Sequence, residues 1–398
     1  MNENIHMSQQ DKLSFENTEI AFRHSTNTDL NRAYWLFRVI NVNFLVKIGP
    51  PITNFAIKIG VPIKGLIKAT IFKHFCGGET IAECNQTIRN LADGGVGTIL
   101  DYSIEGEDDE TVFDNTRNEI IRTIERASQG KAIPLTVFKV TGVGRFSLLE
   151  KLDEGLKLNV DEQMEWQRVQ DRVLAICEMA HSEGVPVMID AEESWIQKTI
   201  DNLALNMMRF FNKEKAIVYN TYQLYRHDKL ASLITDYSIA EDEQFLLGAK
   251  IVRGAYMEKE RKRAEERAYP SPIQPDKAAT DRDYNDALVF CADHVDQIAF
   301  VAGTHNEDSC RLLADLLDKK NINHKNPHVY FSQLLGMSDN LSFNLANAKY
   351  NVAKYVPYGP IKAVLPYLFR RAQENTAIAG QMSRELSLIV KEKKRRAN

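Results

Sequence analysis

The feature that most constrains the fold is a regular alternation of short β-rich runs with longer amphipathic runs through most of the chain. Helical periodicity is clearest over Asp161–Ser182, Asp281–Gln297 and Glu307–Lys319. Eight intervening runs are apolar, short and bounded by turn residues, which predicts strands. They are Thr98–Ser103, Leu135–Val140, Val185–Ala191, Ala216–Thr221, Ala249–Val252, Ile298–Ala302, Val329–Gln333 and Val352–Val356.

Eight βα units have the size and rhythm of a closed (βα)₈ barrel, an α/β fold. An open doubly wound sheet is the alternative. A nucleotide-binding open sheet would carry G-x-G-x-x-G after its first strand, and the glycines of Gly94–Gly97 and Gly142–Arg145 lack that spacing. The sequence therefore predicts a distorted TIM barrel preceded by a helical region.

Composition divides the chain into four parts. We predict a polar leader, a helical region, the barrel and a basic C-terminal tail that is most simply a solvated end. Their limits are 1–30, 31–95, 96–380 and 381–398.

The helical region carries lysines among apolar residues, at Lys47, Lys58, Lys64 and Lys68, and is interrupted by prolines. This composition is typical of a helix that lies on an anionic membrane surface. It fits equally well an ordinary helix that packs on the barrel with its lysines in water. Both interpretations stay open at the level of sequence.

Charge and motif content exclude several classes of protein. The net charge of −4 and the pI near 6.2 argue against a nucleic-acid binder. The 5 cysteines are scattered without C-x-x-C, which predicts reduced thiols. The chain contains no apolar stretch of membrane-spanning length. No histidine or cysteine spacing suits a metal, so none is expected.

Polar residues follow the predicted strands, where a (βα)₈ barrel gathers its functional groups. Lys139 and Asp190 can pair across the barrel floor, and Lys139 could alternatively form a Schiff base, as in aldolases. His305 is more often a hydrogen-bonded core residue than a ligand. The whole ring is Asp101, Lys139, Asp190, Glu192, Asn220, Gln223, Arg253, Tyr256, Thr304, His305, Asn306, Gln333 and Tyr355.

The segment Tyr355–Asn375 leaves the last predicted strand and turns through Gly359 and Pro360 into a helix. At 100° per residue, one face of this helix holds four polar or aromatic side chains, and the opposite face is apolar. The polar face could simply be solvated. An adjacent arginine pair with a nearby glutamate also suits a bidentate carboxylate clamp. The four residues are Tyr367, Arg370, Arg371 and Glu374.

Several motifs together resemble the proline dehydrogenase family. The resemblance runs in consistent order from about Asp101 to Asn375. The motifs are Met188–Glu192, Asn220–Gln223, Lys250–Tyr256, Thr304–Asp308, Gln333–Met337 and Tyr355–Asn375. It implies FAD-dependent oxidation of L-proline to Δ1-pyrroline-5-carboxylate, with hydride passing from proline C5 to flavin N5 and electrons passing to a membrane quinone.

By the same resemblance, Arg370 and Arg371 would bind the proline carboxylate, and Glu374 would orient them. Lys139 and Asp190 would form the pocket floor. The walls around the ring would be Tyr256, Leu334, Tyr355 and Tyr367. The flavin would be held by Asn220, Gln223, Lys250, Arg253, Gly254, Thr304, His305 and Asn306.

Lys250 departs from many bacterial relatives, which have an arginine there, and Glu105 would serve as a lid partner for the clamp. Tyr355 would fill the space beside C4 and so favour proline over 4-hydroxyproline, the nearest rival substrate. An aldolase that uses Lys139, or a membrane-surface module without activity, are the other readings.

The given sequence stops at residue 398, without an aldehyde dehydrogenase domain like that of bifunctional relatives. We therefore expect a separate pyrroline-5-carboxylate dehydrogenase. The expected location is cytoplasmic and peripheral on a membrane.

Overall fold

The computed structural model describes residues 13–40, 64–102, 108–377 and 379–398. Eight parallel strands close into one barrel in chain order, and β8 pairs with β1. The (βα)₈ prediction is confirmed, and the open-sheet alternative is wrong because the sheet has no edge. The strands are β1 Gly97–Tyr102, β2 Thr136–Phe138, β3 Val187–Ile189, β4 Val218–Gln223, β5 Leu247–Val252, β6 Ile298–Gly303, β7 Val329–Leu334 and β8 Val352–Tyr358.

Helices surround the barrel and cover one end of it. Within the described ranges, the α-helices are Thr18–Ala21, Asn27–Ile40, Lys64–Ile67, Lys73–Phe75, Ile81–Asp93, Glu110–Ser128, Phe146–Asp153, Val160–Glu183, Ser194–Phe211, Lys229–Asp242, Met257–Glu266, Lys277–Asp293, Glu307–Lys319, Asp339–Asn347, Ile361–Ala377 and Ala379–Ala397. A π-helical turn, Lys68–Phe72, joins two of them, and a 3₁₀ turn, Val140–Gly142, follows β2.

Local signals explain why the predicted helix Asp161–Ser182 is observed as Val160–Glu183. Asn159 accepts a hydrogen bond from the Glu162 N–H at 2.9 Å, and the Glu162 carboxylate accepts one from the Asn159 N–H at 2.8 Å. This reciprocal cap sets the helix start. Gly184 ends the helix in the left-handed conformation, at φ 65°.

Strands β2 and β3 have only 3 residues each, fewer than the sequence predicts. Their flanking residues are also buried, including Leu135, Val140 and Val185. Apolar composition therefore continues into buried loops, and a short apolar run cannot be divided into strand and loop by periodicity.

The buried apolar residues form three clusters. One fills the space between the barrel and its outer helices. A second lines the barrel interior and includes Ile99, Met188, Tyr219 and Tyr355. The third, here called the cap, joins the helices Asn27–Ile40, Ile361–Ala377 and Ala379–Ala397 through Phe37, Phe75, Val364, Leu368, Leu388 and Ile389.

The C-terminal helix, Ala379–Ala397, differs from the predicted solvated tail. Leu388 and Ile389 are buried in the cap. The Arg396 guanidinium donates hydrogen bonds to the backbone carbonyls of Phe22 at 2.6 Å and Ser25 at 2.9 Å. The tail is therefore docked. The basic residues alone predict a solvated end, whereas the apolar residues that precede them explain why the helix packs in the cap.

The predicted helical region is described only in part. The helix Asn27–Ile40 begins inside the segment predicted to be a polar leader. Lys47, Lys58, Glu105 and the proline-interrupted stretch lie outside the described residues. Among the residues that are described, no helix has both the length and the apolar character needed to cross a membrane.

Candidate active site

The polar strand ends gather inside the mouth of the barrel. Successive strand residues point to opposite faces, so residues two positions beyond an interior residue face inward as well. Val137, Met188 and Tyr219 belong to the interior cluster. Two positions further along the chain from these residues lie Lys139, Asp190 and Thr221, respectively. Thr221 is the register partner of Lys250 between β4 and β5. We infer that the inward ring at this level carries charged side chains of both signs, Lys139, Asp190 and Lys250, together with the neutral Thr221.

At the centre of the ring, Asp190, Lys250 and Tyr355 contact one another. The Lys250 Nζ lies 2.6 Å from Asp190 Oδ1 and 4.3 Å from the centroid of the Tyr355 ring. The Tyr355 hydroxyl donates to the same carboxylate at 3.4 Å. Burial, then the charges of Asp190 and Asp101, raise the pKa of Tyr355 well above its usual value.

The structure shows a salt bridge from Lys250, on β5, to Asp190. Lys139 follows β2 and is partly buried, and its charge acts on Glu192. The predicted pairing of Lys139 with Asp190 stays a prediction.

Glu192 is a buried acid beside this ring. Its carboxylate accepts hydrogen bonds from the Thr141 N–H at 3.1 Å and from the Thr141 hydroxyl. Burial raises the pKa of Glu192 to about 8, against the lowering effects of Thr141 and Lys139. The Gln223 side-chain amide donates to the Glu192 carbonyl at 2.7 Å, so the loop after β3 fixes Gln223 at the end of β4.

Asn220 lies on the other face of β4. Its side-chain amide donates to Asp201 Oδ1 at 3.0 Å, and its own oxygen accepts the Thr221 N–H at 2.9 Å. Asp201 belongs to the outer helix Ser194–Phe211 and also pairs with Lys229. The structure therefore directs Asn220 toward the helical layer and away from the mouth, contrary to its predicted place at the flavin.

A second cluster lies at the ends of β5 and β6. The Arg253 guanidinium donates to Asp281 at 2.7 Å, Thr304 at 2.7 Å and Ser309 at 2.9 Å. Asn306 caps the helix Glu307–Lys319 by accepting the Ser309 N–H at 2.9 Å. A cation beside a helix N-terminus favours an anion.

Gly254 follows Arg253 with φ +130°. A Cβ there would approach the Tyr225 ring to 2.5 Å. A residue with a side chain would therefore be both strained and obstructed at this turn.

His305 is fixed by two neighbours. The Leu334 N–H donates to His305 Nε2 at 3.4 Å, so Nδ1 carries the proton and donates to the Ser338 hydroxyl at 2.9 Å. Burial, with the charges of Lys354 and Arg371, lowers the pKa of His305 to about 3. The imidazole is therefore neutral, and it lies close enough to Arg371 for that charge to act on it.

The helix Ile361–Ala377, here called the clamp helix, follows β8 directly and packs in the cap, against which Leu334 at the end of β7 also packs. Arg371 is only 8% exposed and lies 5.2 Å from the centroid of the buried Tyr367 ring. The solvated interpretation is therefore wrong for Arg371, while Arg370 is partly buried. The Glu374 side chain lies outside the described set. Glu79 accepts the Ile361 N–H at 3.4 Å at the helix start.

The remaining predicted wall residues are placed by neighbouring elements. Tyr256 is partly buried and immediately precedes the helix Met257–Glu266. Leu334, at the end of β7, packs against both the interior cluster and the cap. Leu334 therefore links the barrel to the helices that cover it.

Sequence reasoning missed Lys354, on β8. Its side chain is fully buried and pairs with Asp339 at 2.7 Å, and its Nζ donates to the Met337 carbonyl at 2.6 Å. A charge in the middle of an apolar strand is the signal that could have identified it, because a buried lysine needs a partner.

A closed parallel barrel with charged side chains at the carboxyl ends of its strands, followed by a helix that carries a buried arginine, is typical of a TIM-barrel enzyme. Residues 84–384 match the family described as proline dehydrogenase. The carbapenem antibiotics biosynthesis protein CarD of Pectobacterium carotovorum is 36% identical over 84% of this chain and 86% of its own length. Mitochondrial proline dehydrogenase 1 of Dictyostelium discoideum is 33% identical over 97% of this chain and 75% of its own.

The chain belongs to the proline dehydrogenase family and is an oxidoreductase of that family. Among solved structures, proline utilization A of Bdellovibrio bacteriovorus has the same fold, with a TM-score of 0.71 and 18% identity. That likeness covers 90% of this chain and 38% of the other chain.

Proposed function

We propose that the protein oxidises L-proline to Δ1-pyrroline-5-carboxylate with FAD as its cofactor. Family membership supports proline oxidation. The observation that carries the proposal is the buried Arg371 on the helix that follows β8, close enough to the mouth for its charge to act on His305. A basic group above a compact, partly apolar pocket suits a small amino acid whose carboxylate points toward the clamp helix.

The residues at the mouth fit a flavin. Gln223 and Lys250 offer an amide and a cation on the inner face, and Arg253 lies beside a helix N-terminus that suits a diphosphate. Gly303 lies beside Lys250 as well, and a Cβ there would come within 3.0 Å of Val252 and 4.0 Å of Lys250. The absence of a side chain at Gly303 therefore lets Val252 and Lys250 pack close to β6. Asn220 is not part of this set.

FAD, if bound here, would supply the two-electron oxidant and take hydride from proline C5 at flavin N5. Loss of that hydride and of the proton on the ring nitrogen would convert the C5–N single bond of proline into the C5=N bond of the product. Arg370 and Arg371 hold the carboxylate, with Glu374 proposed to orient them. Lys139 and Asp190 form the floor.

The side walls of the proposed pocket are Tyr256, Leu334, Tyr355 and Tyr367. Closure by the clamp helix keeps water from the reacting carbon. On the flavin side, Thr304, His305, Asn306 and Gly254 complete the proposed contacts.

We propose that a membrane quinone accepts the electrons and that the protein binds a bilayer surface. Lys68 gives little support to the predicted lysine-rich helices, because it pairs with Glu79 at 2.7 Å and Glu83 at 3.2 Å. A separate pyrroline-5-carboxylate dehydrogenase would consume the product.

A different surface of the cap supports membrane contact better. Trp35 is 60% exposed and Val39 is 51% exposed on the helix Asn27–Ile40. The Arg38 guanidinium lies 5.3 Å from the Trp35 ring centroid, and exposed Lys394 lies on the neighbouring C-terminal helix. Aromatic and aliphatic side chains among cations are typical of an interfacial site on anionic lipid. We call Trp35, Arg38, Val39 and Lys394 the interfacial patch.

The test is anaerobic addition of L-proline to the purified protein. We expect flavin absorbance in the purified protein and its bleaching by L-proline. A protein that binds no FAD, or whose bound FAD is not reduced by L-proline, would contradict the proposal. Colourless protein that borohydride traps with an aldehyde substrate would favour the aldolase reading on Lys139.

A further inference from the structure

Two adjacent residues of the C-terminal helix contact the two loops that follow β6 and β7. Buried Glu385 accepts a hydrogen bond from the Ser338 N–H at 2.5 Å. Arg384 donates from Nε to Glu307 at 2.9 Å and also pairs with Glu16. These contacts connect the C-terminal helix to the region of the candidate active site.

Ser338 is the link between Glu385 and the site. Its backbone is left-handed, at φ 50° and ψ 45°, a conformation that is unfavourable for a residue with a side chain. The Ser338 hydroxyl accepts a hydrogen bond from the Nδ1–H of His305, with 2.9 Å between Nδ1 and Oγ. Nε2 of His305 in turn accepts a hydrogen bond from the Leu334 N–H. A single chain of hydrogen bonds therefore runs from Glu385 through Ser338 and His305 to Leu334.

The same turn is held from the opposite side by Lys354. Its Nζ contacts the Met337 carbonyl and the Asp339 carboxylate, the two neighbours of Ser338. Because Glu385 holds the N–H and Lys354 holds both flanking residues, the left-handed turn is constrained from two directions.

Arg384 acts on the neighbouring loop. Glu307 is the first residue of the helix that Asn306 caps, and it also accepts a hydrogen bond from the Asn340 side chain at 3.2 Å. The contact therefore ties the segment Thr304–Asn306 to the C-terminal helix and to the helix after β7.

We propose that Glu385 and Arg384 are positioning residues for the flavin site: Glu385 orients His305 through Ser338, and Arg384 holds the loop that begins at Thr304. This inference rests on the proposed function, since it assumes that His305 contacts FAD. Neither residue is proposed to touch substrate or cofactor.

The decisive variants are Glu385→Ala and Glu385→Gln. Alanine leaves the Ser338 N–H buried without its acceptor, so the turn relaxes and His305 loses its orientation. Glutamine keeps an oxygen at the same distance along the side chain and can still accept this hydrogen bond. Ser338→Ala is a second variant. It keeps the backbone N–H but removes the hydroxyl that accepts the hydrogen bond from His305.

Glu392→Ala is the matched control. Glu392 is a fully buried carboxylate on the same helix, and it pairs with Arg395 at 2.8 Å and Arg396 at 2.7 Å. Its loss should destabilise the helix without acting on His305. The measurements are the FAD dissociation constant of the purified protein and the thermal unfolding midpoint of the FAD-free form.

We expect Glu385→Ala and Ser338→Ala to weaken FAD binding by about fivefold, the effect of one hydrogen bond. Glu385→Gln should stay within about twofold of wild type, and Glu392→Ala should lower only the unfolding midpoint. In a His305→Ala background, Glu385→Ala should have no further effect on FAD affinity, because the imidazole that Glu385 orients through Ser338 is already absent.

Equal loss of FAD affinity in Glu385→Ala and Glu392→Ala would overturn the inference, as would an undiminished Glu385→Ala effect in the His305→Ala background. Either result, with a wild type that binds FAD and oxidises proline, leaves the proposed function intact. A wild type that binds no FAD would overturn both.

Discussion

The barrel mouth and the cap contribute to the site in different ways. The mouth is built from strands that are hydrogen-bonded neighbours, so Asp190, Lys250 and Tyr355 are placed by the register of one closed sheet. The cap is built from both parts of the chain that flank the barrel, and Arg396 reaches back to Phe22 and Ser25 to close it.

This difference predicts that the mouth and the cap have separate roles in the reaction. The ring in the mouth is held by buried ion pairs and would act on the flavin and the reacting carbon. The cap buries Arg371 through helix packing, and we expect it to act on substrate affinity. Changes in the two regions should therefore be separable in kinetics and in stability.

The largest expected effect is that of Lys250→Met in the mouth. The change leaves the mostly buried Asp190 carboxylate without its cation, which should lower the free energy of unfolding by about 3 kcal/mol. Chemical denaturation measures it. Lys229→Met is the matched control, because Lys229 forms a buried pair with Asp201 in the outer layer.

Both lysine variants should lose comparable stability, but only Lys250→Met should slow flavin reduction by proline. Equal slowing in both variants would mean that the inner and outer pairs have the same role. It would remove the distinction between the mouth and its surroundings.

A smaller effect, distributed over pH, should come from Glu192→Gln. The pKa of Glu192 rises from its ordinary value near 4.5 to about 8 in the folded chain, so the folded state binds this proton more tightly than the unfolded state. The free energy of unfolding therefore falls as pH rises through this interval, by at most about 1.4 kcal/mol per pH unit.

Glutamine at position 192 should flatten that slope when unfolding is measured between pH 5 and about 8. Glu178→Gln, at an exposed position of the helix Val160–Glu183, is the control. An unchanged slope in Glu192→Gln would show that the Glu192 carboxylate is ionised across the whole range and is stabilised by Lys139 and Thr141.

Tyr355→Ser should change substrate preference by about 1 kcal/mol or more, because it opens space beside C4 and removes apolar contact with the ring. The ratio of kcat/KM for trans-4-hydroxy-L-proline to that for L-proline should rise several-fold, with FAD still bound. Tyr219→Ser, deeper in the same interior cluster, should leave the ratio unchanged. Equal loss with both substrates would make Tyr355 a packing residue only.

The smallest effect should come from the interfacial patch on the cap. Lys394→Gln should weaken binding to phosphatidylserine-containing vesicles by roughly 1 kcal/mol, less at high salt. Lys262→Gln, in an exposed part of the barrel's outer layer, is the control. Charge reversal at Lys47, Lys58, Lys64 and Lys68 tests the predicted helices in the same assay. If the wild-type protein does not bind such vesicles, membrane contact by the interfacial patch and by the predicted lysine-rich helices would both be contradicted.

The sequence predicted the mouth better than the cap for a physical reason. Each strand is a local run, and the end of each run places its polar residue near the mouth. A short apolar run does not fix which face of the strand each side chain takes, so the sequence predicts Asn220 at the flavin whereas the structure turns it toward Asp201. A one-residue shift reverses the face of every side chain.

The cap depends on contacts between residues far apart in the chain. Glu385 accepts a hydrogen bond from Ser338, which lies in a turn with a left-handed backbone. The local sequence does not predict this conformation, since Ser338 is neither glycine nor asparagine. The basic tail looked solvated because its partners, Phe22 and Ser25, are at the other end of the chain. Burial of Arg371 likewise depends on that packing.

The most direct test of the account is anaerobic stopped-flow reduction of the flavin in Arg371→Lys. Arg209→Lys is the control, since Arg209 pairs with Glu243 near the C-terminal ends of two outer helices, at the end of the barrel opposite the mouth. Lysine keeps the charge but lacks the planar fork. We predict that the dissociation constant for L-proline rises more than about tenfold, at least about 1.4 kcal/mol, while FAD content and the limiting rate change little. An unchanged dissociation constant would contradict the assignment of substrate binding to the cap.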